Sequence, residues 1–200
     1  ALADLQPFVD SGVIDVSKID PSVLEGGTVN GQLSMIAMGL TVQTILVNKD
    51  LCDEVGVTVP AMGDSWTWQQ FADLCVEFRQ KALEKGMDIY FSNEATGYTT
   101  FQYLARSNGG DLYATDGSLG FTQEDMVQWL TYWKNLRDQD AIPDAATTSD
   151  SLSLTMEQSP FVTGLAATAF IPVNQYWQYV NQLPDANIVC EFMPTTDDGA

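Results

Sequence analysis

The run from Asn30 to Phe71 constrains the fold more than any other part of the sequence. It begins Asn30-Gly31-Gln32-Leu33, passes through apolar residues to Leu46-Val47-Asn48-Lys49-Asp50-Leu51, and continues through Gly56 and Pro60 to Trp66-Thr67-Trp68-Gln69-Gln70-Phe71. Asn-Gly suits a tight turn because both residues tolerate positive φ. Leu33 to Met38 and Thr44 to Val47 are dense in apolar residues on both faces, the pattern of buried strands, and Gly39 to Gln43 between them reads as a turn or crossing. A short helix opens near Asp50 and stops at Gly56. After a proline-containing loop, a capped amphipathic helix follows.

That helix, Thr67 to Lys85, is the strongest local signal. Trp68, Phe71, Cys75, Phe78 and Ala82 recur in steps of three and four and share one face, which Leu74 and Leu83 widen. Thr67 and Gln70 have capping-box spacing, and Gly86 is a natural stop. Short helices are expected over Asp4 to Ser11 and after Asp20-Pro21, where Asp caps and Pro suits the first helical position. Asp88 to Ser92 reads as a strand, Tyr98 to Arg106 as a helix ending at Asn108-Gly109-Gly110, and Thr122 caps a helix to about Asp138 with an inward stripe of Met126, Leu130, Trp133 and Leu136. Asp144 to Asp150 is a polar surface connection, and Leu152 to Phe161 a helix candidate weakened by Pro160. Leu165 to Ile171 and Ile188 to Phe192 are strands, with a helix reaching about Gln182 between them. No internal repeat or Gly/Ser linker is detected, so one folding unit is expected.

Composition limits the chemistry. With 8 Lys+Arg against 27 Asp+Glu, a formal charge of -19, the chain repels nucleic acid and anionic bilayers. Its 3 cysteines, Cys52, Cys75 and Cys190, are widely spaced and lack the close pairs of a zinc site, so no metal is expected. Cys75 lies on a buried stripe, which favours an inert thiol over a Cys52 to Cys75 disulfide. With 0 His, Ser-His-Asp and Cys-His catalysis are excluded within this chain. No window approaches the ~18 apolar residues of a membrane span, and no secretory signal opens the sequence.

The Asn30 to Phe71 run resembles the middle of the extracellular solute-binding proteins of ABC importers, of the family-1, maltose-binding-protein-like type. Further resemblance lies in Asn108-Gly109-Gly110-Asp111-Leu112, the Trp133 to Leu136 helix with Pro143 downstream, Phe161-Val162-Thr163-Gly164-Leu165-Ala166-Ala167, and the strand from Ile188 to Pro194. The order of these pieces is more specific than any one of them. The resemblance implies an α/β, three-layer lobe of the periplasmic-binding-protein type II fold, with helices on both faces of a mixed sheet. Residues 1–200 are then mainly one lobe of a two-lobed protein, and 1–29 belong to the approach between lobes. It also implies an extracellular or cell-envelope setting, the full-length protein being either periplasmic or a membrane-anchored lipoprotein, a small solute, taken as carbohydrate, a membrane permease as partner, and no cofactor. Val47 stands where the family commonly has an aromatic, Leu165 where it has Lys, and Pro172-Val173-Asn174-Gln175 where Gly and Trp often come directly.

A sugar has an apolar CH face and a rim of hydroxyls, so its site needs an aromatic plate beside amides or carboxylates. Asn174, Gln175, Tyr176 and Trp177 supply that combination at a strand-to-helix junction, which the resemblance makes a ligand-contact segment; packing aromatics and an Asn helix cap are the alternative. Thr41 and Gln43 sit in the first crossing, where a relative offers a carboxylate, although Thr41 also suits its own turn. Glu94 and Tyr98 match another contact segment, with Glu94 as a solvated loop charge the competing reading. Trp66 reads as a hydrophobic staple on the helix that follows. Thr41, Glu94, Tyr98, Asn174 and Trp177 are expected to meet on one concave edge. Two other functions stay open: a carbohydrate-active enzyme using an Asp/Glu pair, and a lobe for a non-sugar solute such as a peptide or polyamine.

Overall fold

The computed structural model describes residues 2–61 and 63–196. Its contacts gather into two compact units, one up to Thr41 and one from Val42 onward.

In the first unit, two short helices, α1 (Gln6–Asp10) and α2 (Pro21–Glu25), precede a small hairpin of β1 (Thr28–Val29) and β2 (Gln32–Leu33). The Asp20 carboxylate accepts the Ser22 amide at 2.9 Å and caps α2, as the Asp-Pro pair predicts. Asn30 and Gly31 turn the hairpin with φ of 52° and 77°, the left-handed pair the dipeptide tolerates. The expected strand from Leu33 to Met38 does not form. After Leu33 the amides of Ser34 and Met35 both turn back to the Gly27 carbonyl, at 3.0 and 3.1 Å. A Cβ on Gly27 would stand 2.0 Å from the Met35 carbonyl oxygen, so this wrapping requires glycine.

The second unit is built on a three-stranded antiparallel sheet. Its central strand, β3 (Gln43–Asn48), lies between β4 (Thr168–Pro172) and β5 (Ile188–Glu191). Alternation along β3 separates two cores. Ile45 and Val47 join a core with Phe71, Phe78 and Trp133, whereas Leu46 joins Phe161, Ile171 and Ile188. Helices on both faces give the expected three-layer α/β lobe. The sheet is smaller than expected, because Ile89 to Phe91 contributes only a parallel bridge, Tyr90 to Ala166. Phe91 turns instead into the core, 5.6 Å from Phe71 and 5.7 Å from Phe78 between ring centroids.

Helix α3 (Lys49–Val55) follows β3 directly, capped by Asn48, whose side chain accepts the Leu51 amide, and closed by Gly56 at φ 88°. Helix α4 (Trp68–Glu84) carries the predicted capping box: the Gln70 amide donates to Thr67 Oγ1 at 3.1 Å and the Thr67 amide to Gln70 Oε1 at 2.8 Å. Trp66 packs edge-on against Phe71 at 5.4 Å, the staple expected of it, and its indole N–H donates to the Phe192 carbonyl at 2.6 Å. Phe71, Cys75 and Phe78 are fully buried, while Leu83 is exposed. All three cysteines are free. Burial pushes the Cys52 thiol up to about 12 and the Cys75 thiol up further, so neither is a nucleophile.

Helices α5 (Tyr98–Ser107) and α6 (Gln123–Asp138) complete the larger core. On α6 the inward stripe is Trp129, Trp133 and Leu136, and Leu130 faces solvent. Steps of four from Asp125, which is buried by its capping box with Thr122, set that face. Two local expectations fail beyond this point. Asp144 accepts the Thr147 amide at 2.7 Å and starts a helix, α7 (Ala145–Ser151), where the polarity suggested a connection. Conversely, Leu152 to Phe161 forms only a 3₁₀ turn at Met156–Gln158, as Pro160 removes an amide donor. Helix α8 (Tyr176–Gln182) covers the smaller core. No helix among the described residues is long and apolar enough to cross a membrane.

Thr67→Ala removes the acceptor for the Gln70 amide and should cost about 1 kcal/mol in urea unfolding. No change in the midpoint would show that the box contributes nothing. Glu191 offers a pH test. Its carboxyl is buried, with Oε2 unpartnered among the described residues, and desolvation raises its pKa. The folded state therefore holds the proton more tightly than the unfolded chain. Its contribution is most favourable below the ordinary carboxylate range and is lost as pH rises through that range to the raised folded value. Glu191→Gln should stabilise the protein by roughly 1–3 kcal/mol at neutral pH and lose that advantage in acid, read from unfolding midpoints across pH.

Candidate functional site

The entry of β3 is where separate segments meet. The Val173 amide donates to the Val42 carbonyl at 2.8 Å, and Gln43 lies opposite Pro172 in the ladder. The Gln43 amide also donates to the Tyr103 hydroxyl at 3.2 Å, which ties α5 to the same edge. Gln43 and the Asn174 to Trp177 junction are thus brought together. Tyr98 begins the helix that carries Tyr103, five positions earlier, or about 7.5 Å along its axis.

The junction presents its side chains unequally. Pro172 ends β4 and a 3₁₀ turn, Val173–Gln175, leads into α8. Tyr176 turns inward, its hydroxyl donating to the Ile188 carbonyl at 3.3 Å, so it packs and orients the helix. Trp177 remains 69% exposed beside it, with the two rings edge-on at 5.5 Å. Asn174 is exposed and Gln175 half-buried. Thr41 is an exposed residue of the first unit, whereas the other nominated residues belong to the second.

Glu94 has a different setting from either one expected. Its side chain is only 12% exposed and forms an ion pair with Arg137 of α6. The pair tethers the loop before α5 and cancels the carboxylate charge. Glu94 lines a cleft of about 400 Å³ with Asn93, Thr96, Thr148, Thr168, Phe170 and Tyr179 among its walls. Three oxygens in that wall, Asn93 Oδ1, Thr148 Oγ1 and Thr168 Oγ1, are buried without a hydrogen-bond partner among the described residues. Each such atom costs about 1–3 kcal/mol, and all three are closed to solvent behind the cleft surface. Tyr98, 72% exposed, lines an adjacent cavity of about 280 Å³.

Sequence reasoning missed Asn93, Thr148, Thr168 and Tyr179. A signal existed for Thr168, the one polar residue within Leu165 to Ile171. Thr148 lay in the stretch read as a connection, and only its helix turns it toward the cleft. The arrangement can hold a polyhydroxylated solute by hydrogen bonds from neutral groups, with aromatic faces at its margins.

The profile described as "Bacterial extracellular solute-binding protein" matches residues 1–188. Among solved structures, an extracellular solute-binding protein family 1 member from Alicyclobacillus acidocaldarius is 27% identical with a TM-score of 0.75, the match covering 99% of this chain and 47% of that one. An ABC substrate-binding protein from Listeria monocytogenes, in complex with cycloalternan, is 20% identical with a TM-score of 0.78, covering 98% and 48%. A periplasmic oligogalacturonide binding protein from Yersinia enterocolitica, in complex with saturated digalacturonic acid, is 19% identical with a TM-score of 0.76, covering 99% and 48%. The chain spans about half the length of these solved chains. With the profile matching nearly the whole sequence and the α/β lobe superposing on these structures, the chain belongs to the bacterial extracellular solute-binding protein family.

Proposed function

We propose that this chain forms one wall of the solute site of an ABC importer's binding protein. In this reading it captures an extracellular sugar or oligosaccharide with a second lobe and delivers it to a membrane permease. The observation that carries the reading is the β4-to-α8 junction, where an exposed tryptophan stands beside amides at an edge pinned to the entry of β3. Such a surface offers stacking and hydrogen bonds to one solute. The relatives solved with cycloalternan and with digalacturonic acid support a carbohydrate. A neutral sugar fits better than a uronate, because the chain carries 27 acidic against 8 basic residues and the Arg137 charge is already taken by Glu94.

Binding without catalysis is the better-supported role. Among the described residues that line the polar cleft, Glu94 is the only carboxylate, and it is held in an ion pair. Glycoside hydrolysis in its common form needs two carboxyl groups flanking the scissile bond.

Titration calorimetry of the intact protein against neutral oligosaccharides, digalacturonate and spermidine tests this reading. A neutral sugar should bind, and Trp177→Ala should remove roughly 1–3 kcal/mol of that binding while leaving the melting temperature in place. Spermidine binding without sugar binding, or sugar hydrolysis during titration, would overturn the reading. Unchanged affinity in the Trp177 variant would move the site elsewhere.

A further inference from the structure

The segment 144–158 forms part of the polar cleft, yet little fastens it. It runs from the Asp144 cap through α7 and the 3₁₀ turn at Met156–Gln158 and contains no buried residue. Its two ends are anchored. Ala141, Ile142 and Pro143 are buried before it, and Phe161 is buried after it. Among the described residues its backbone hydrogen bonds close within the segment, as from the Thr148 amide to the Asp144 carbonyl at 2.9 Å and from the Gln158 amide to the Thr155 carbonyl at 3.1 Å. One side-chain hydrogen bond leaves it among those residues, with Asn93 Nδ2 donating to Ser151 Oγ at 3.4 Å.

Thr148, Ser151 and Leu152 line the cleft, and Leu152 stands 83% exposed. The three closed oxygens of the cleft are distributed tellingly. Thr148 Oγ1 belongs to the segment, Asn93 Oδ1 to the residue that its one outward bond reaches, and Thr168 Oγ1 to β4. Moving the segment outward would uncover almost no apolar surface beyond what water already meets, and it would hydrate oxygens that are now dry. Opening here is therefore far less costly than opening either core, whose residues are packed on all sides.

We propose that 144–158 is a strap over the polar cleft that opens by itself while the rest of the lobe stays folded, and so admits solvent and small solutes to the closed wall. Pro143 and Pro160 bound the moving part, because each fixes its own φ and keeps its anchor from following. The device does not depend on the chemistry of what the cleft binds, so its test stands apart from the sugar reading.

Thiol labelling supplies that test. Thr168→Cys in a Cys190→Ser background puts a reporter on the closed wall, while Cys52 and Cys75, both fully buried, report opening of the core in the same molecule. Neutral iodoacetamide, followed by peptide mass spectrometry, should modify the introduced thiol at least tenfold faster than the two core thiols. Asp144→Ala removes the cap of α7 and should speed that labelling about fivefold, with the thermal midpoint unmoved. Equal rates at all three thiols, or a rate that Asp144→Ala does not change, would overturn the strap. Hydrogen exchange of the unaltered protein needs no substitution: amides 148–152 should exchange well before those of α4, and equally slow exchange would overturn the proposal. Fast exchange there with the introduced thiol still closed would show α7 fraying in place, and the strap would again be wrong.

Discussion

Edge-to-face packing of aromatic rings between two helices and one strand is the constraint on which the larger unit depends. Trp68 meets Trp129 at 5.0 Å, Phe71 meets Phe170 at 5.5 Å, and Trp133 meets Phe170 at 6.2 Å. Rings of this size bury more apolar area than any other side chains, and their quadrupoles favour the crossed orientations observed. The cluster therefore fixes both the spacing and the rotation of α4 and α6 over the sheet. It also reaches the polar cleft. Phe170 forms part of the cleft wall, and the Trp129 indole N–H donates to the Thr96 carbonyl at 3.2 Å, holding the residue that lines both the cleft and the adjacent cavity.

Scarce positive charge is used for fastening. Arg79 is buried within α4, pairs with Asp88 at 2.7 Å and Asp140 at 2.9 Å, and lies 4.0 Å from the centre of the Tyr90 ring. One guanidinium thereby secures the segment leading to the Tyr90 bridge and the turn that ends α6. Arg137 does the same for the loop at Glu94. In a chain of net charge -19, cations placed inside the fold leave the surface strongly acidic. They also leave the cleft with polarity but little net charge.

Features set by a few neighbouring residues were legible in the sequence. The Asn30-Gly31 turn, the Thr67/Gln70 box, the Trp66 staple and the α4 stripe each depend on contacts within a few positions, and each is present. Sheet membership was not legible, because an apolar run does not state its partner. Leu33 to Met38 and Ile89 to Phe91 look as strand-like as β3, yet one is drawn back to Gly27 and the other spends Phe91 on the core. The α6 stripe was misread for a related reason: Leu130 and Trp129 are adjacent and both apolar, and the buried cap at Asp125 decides between them. For the site, aromatic and amide residues at the Asn174 to Trp177 junction were visible as a cluster. Thr148 and Thr168 could not be, since their common wall exists only after α7 and β4 have folded beside each other. Glu94 was visible as a residue, but its ion pair with Arg137 joins positions far apart in the chain.

The unequal placement of the indoles has an optical consequence. Trp66, Trp68, Trp129 and Trp133 are enclosed, and Trp177 alone of the five stands in solvent. Enclosed indoles emit at shorter wavelength and are shielded from aqueous quenchers such as acrylamide. The native spectrum should therefore resolve into a dominant blue, poorly quenched component and a minor red one arising from the sheet edge. Because these belong to different places in the molecule, one emission scan separates events at the junction from loosening of the core, without any attached dye.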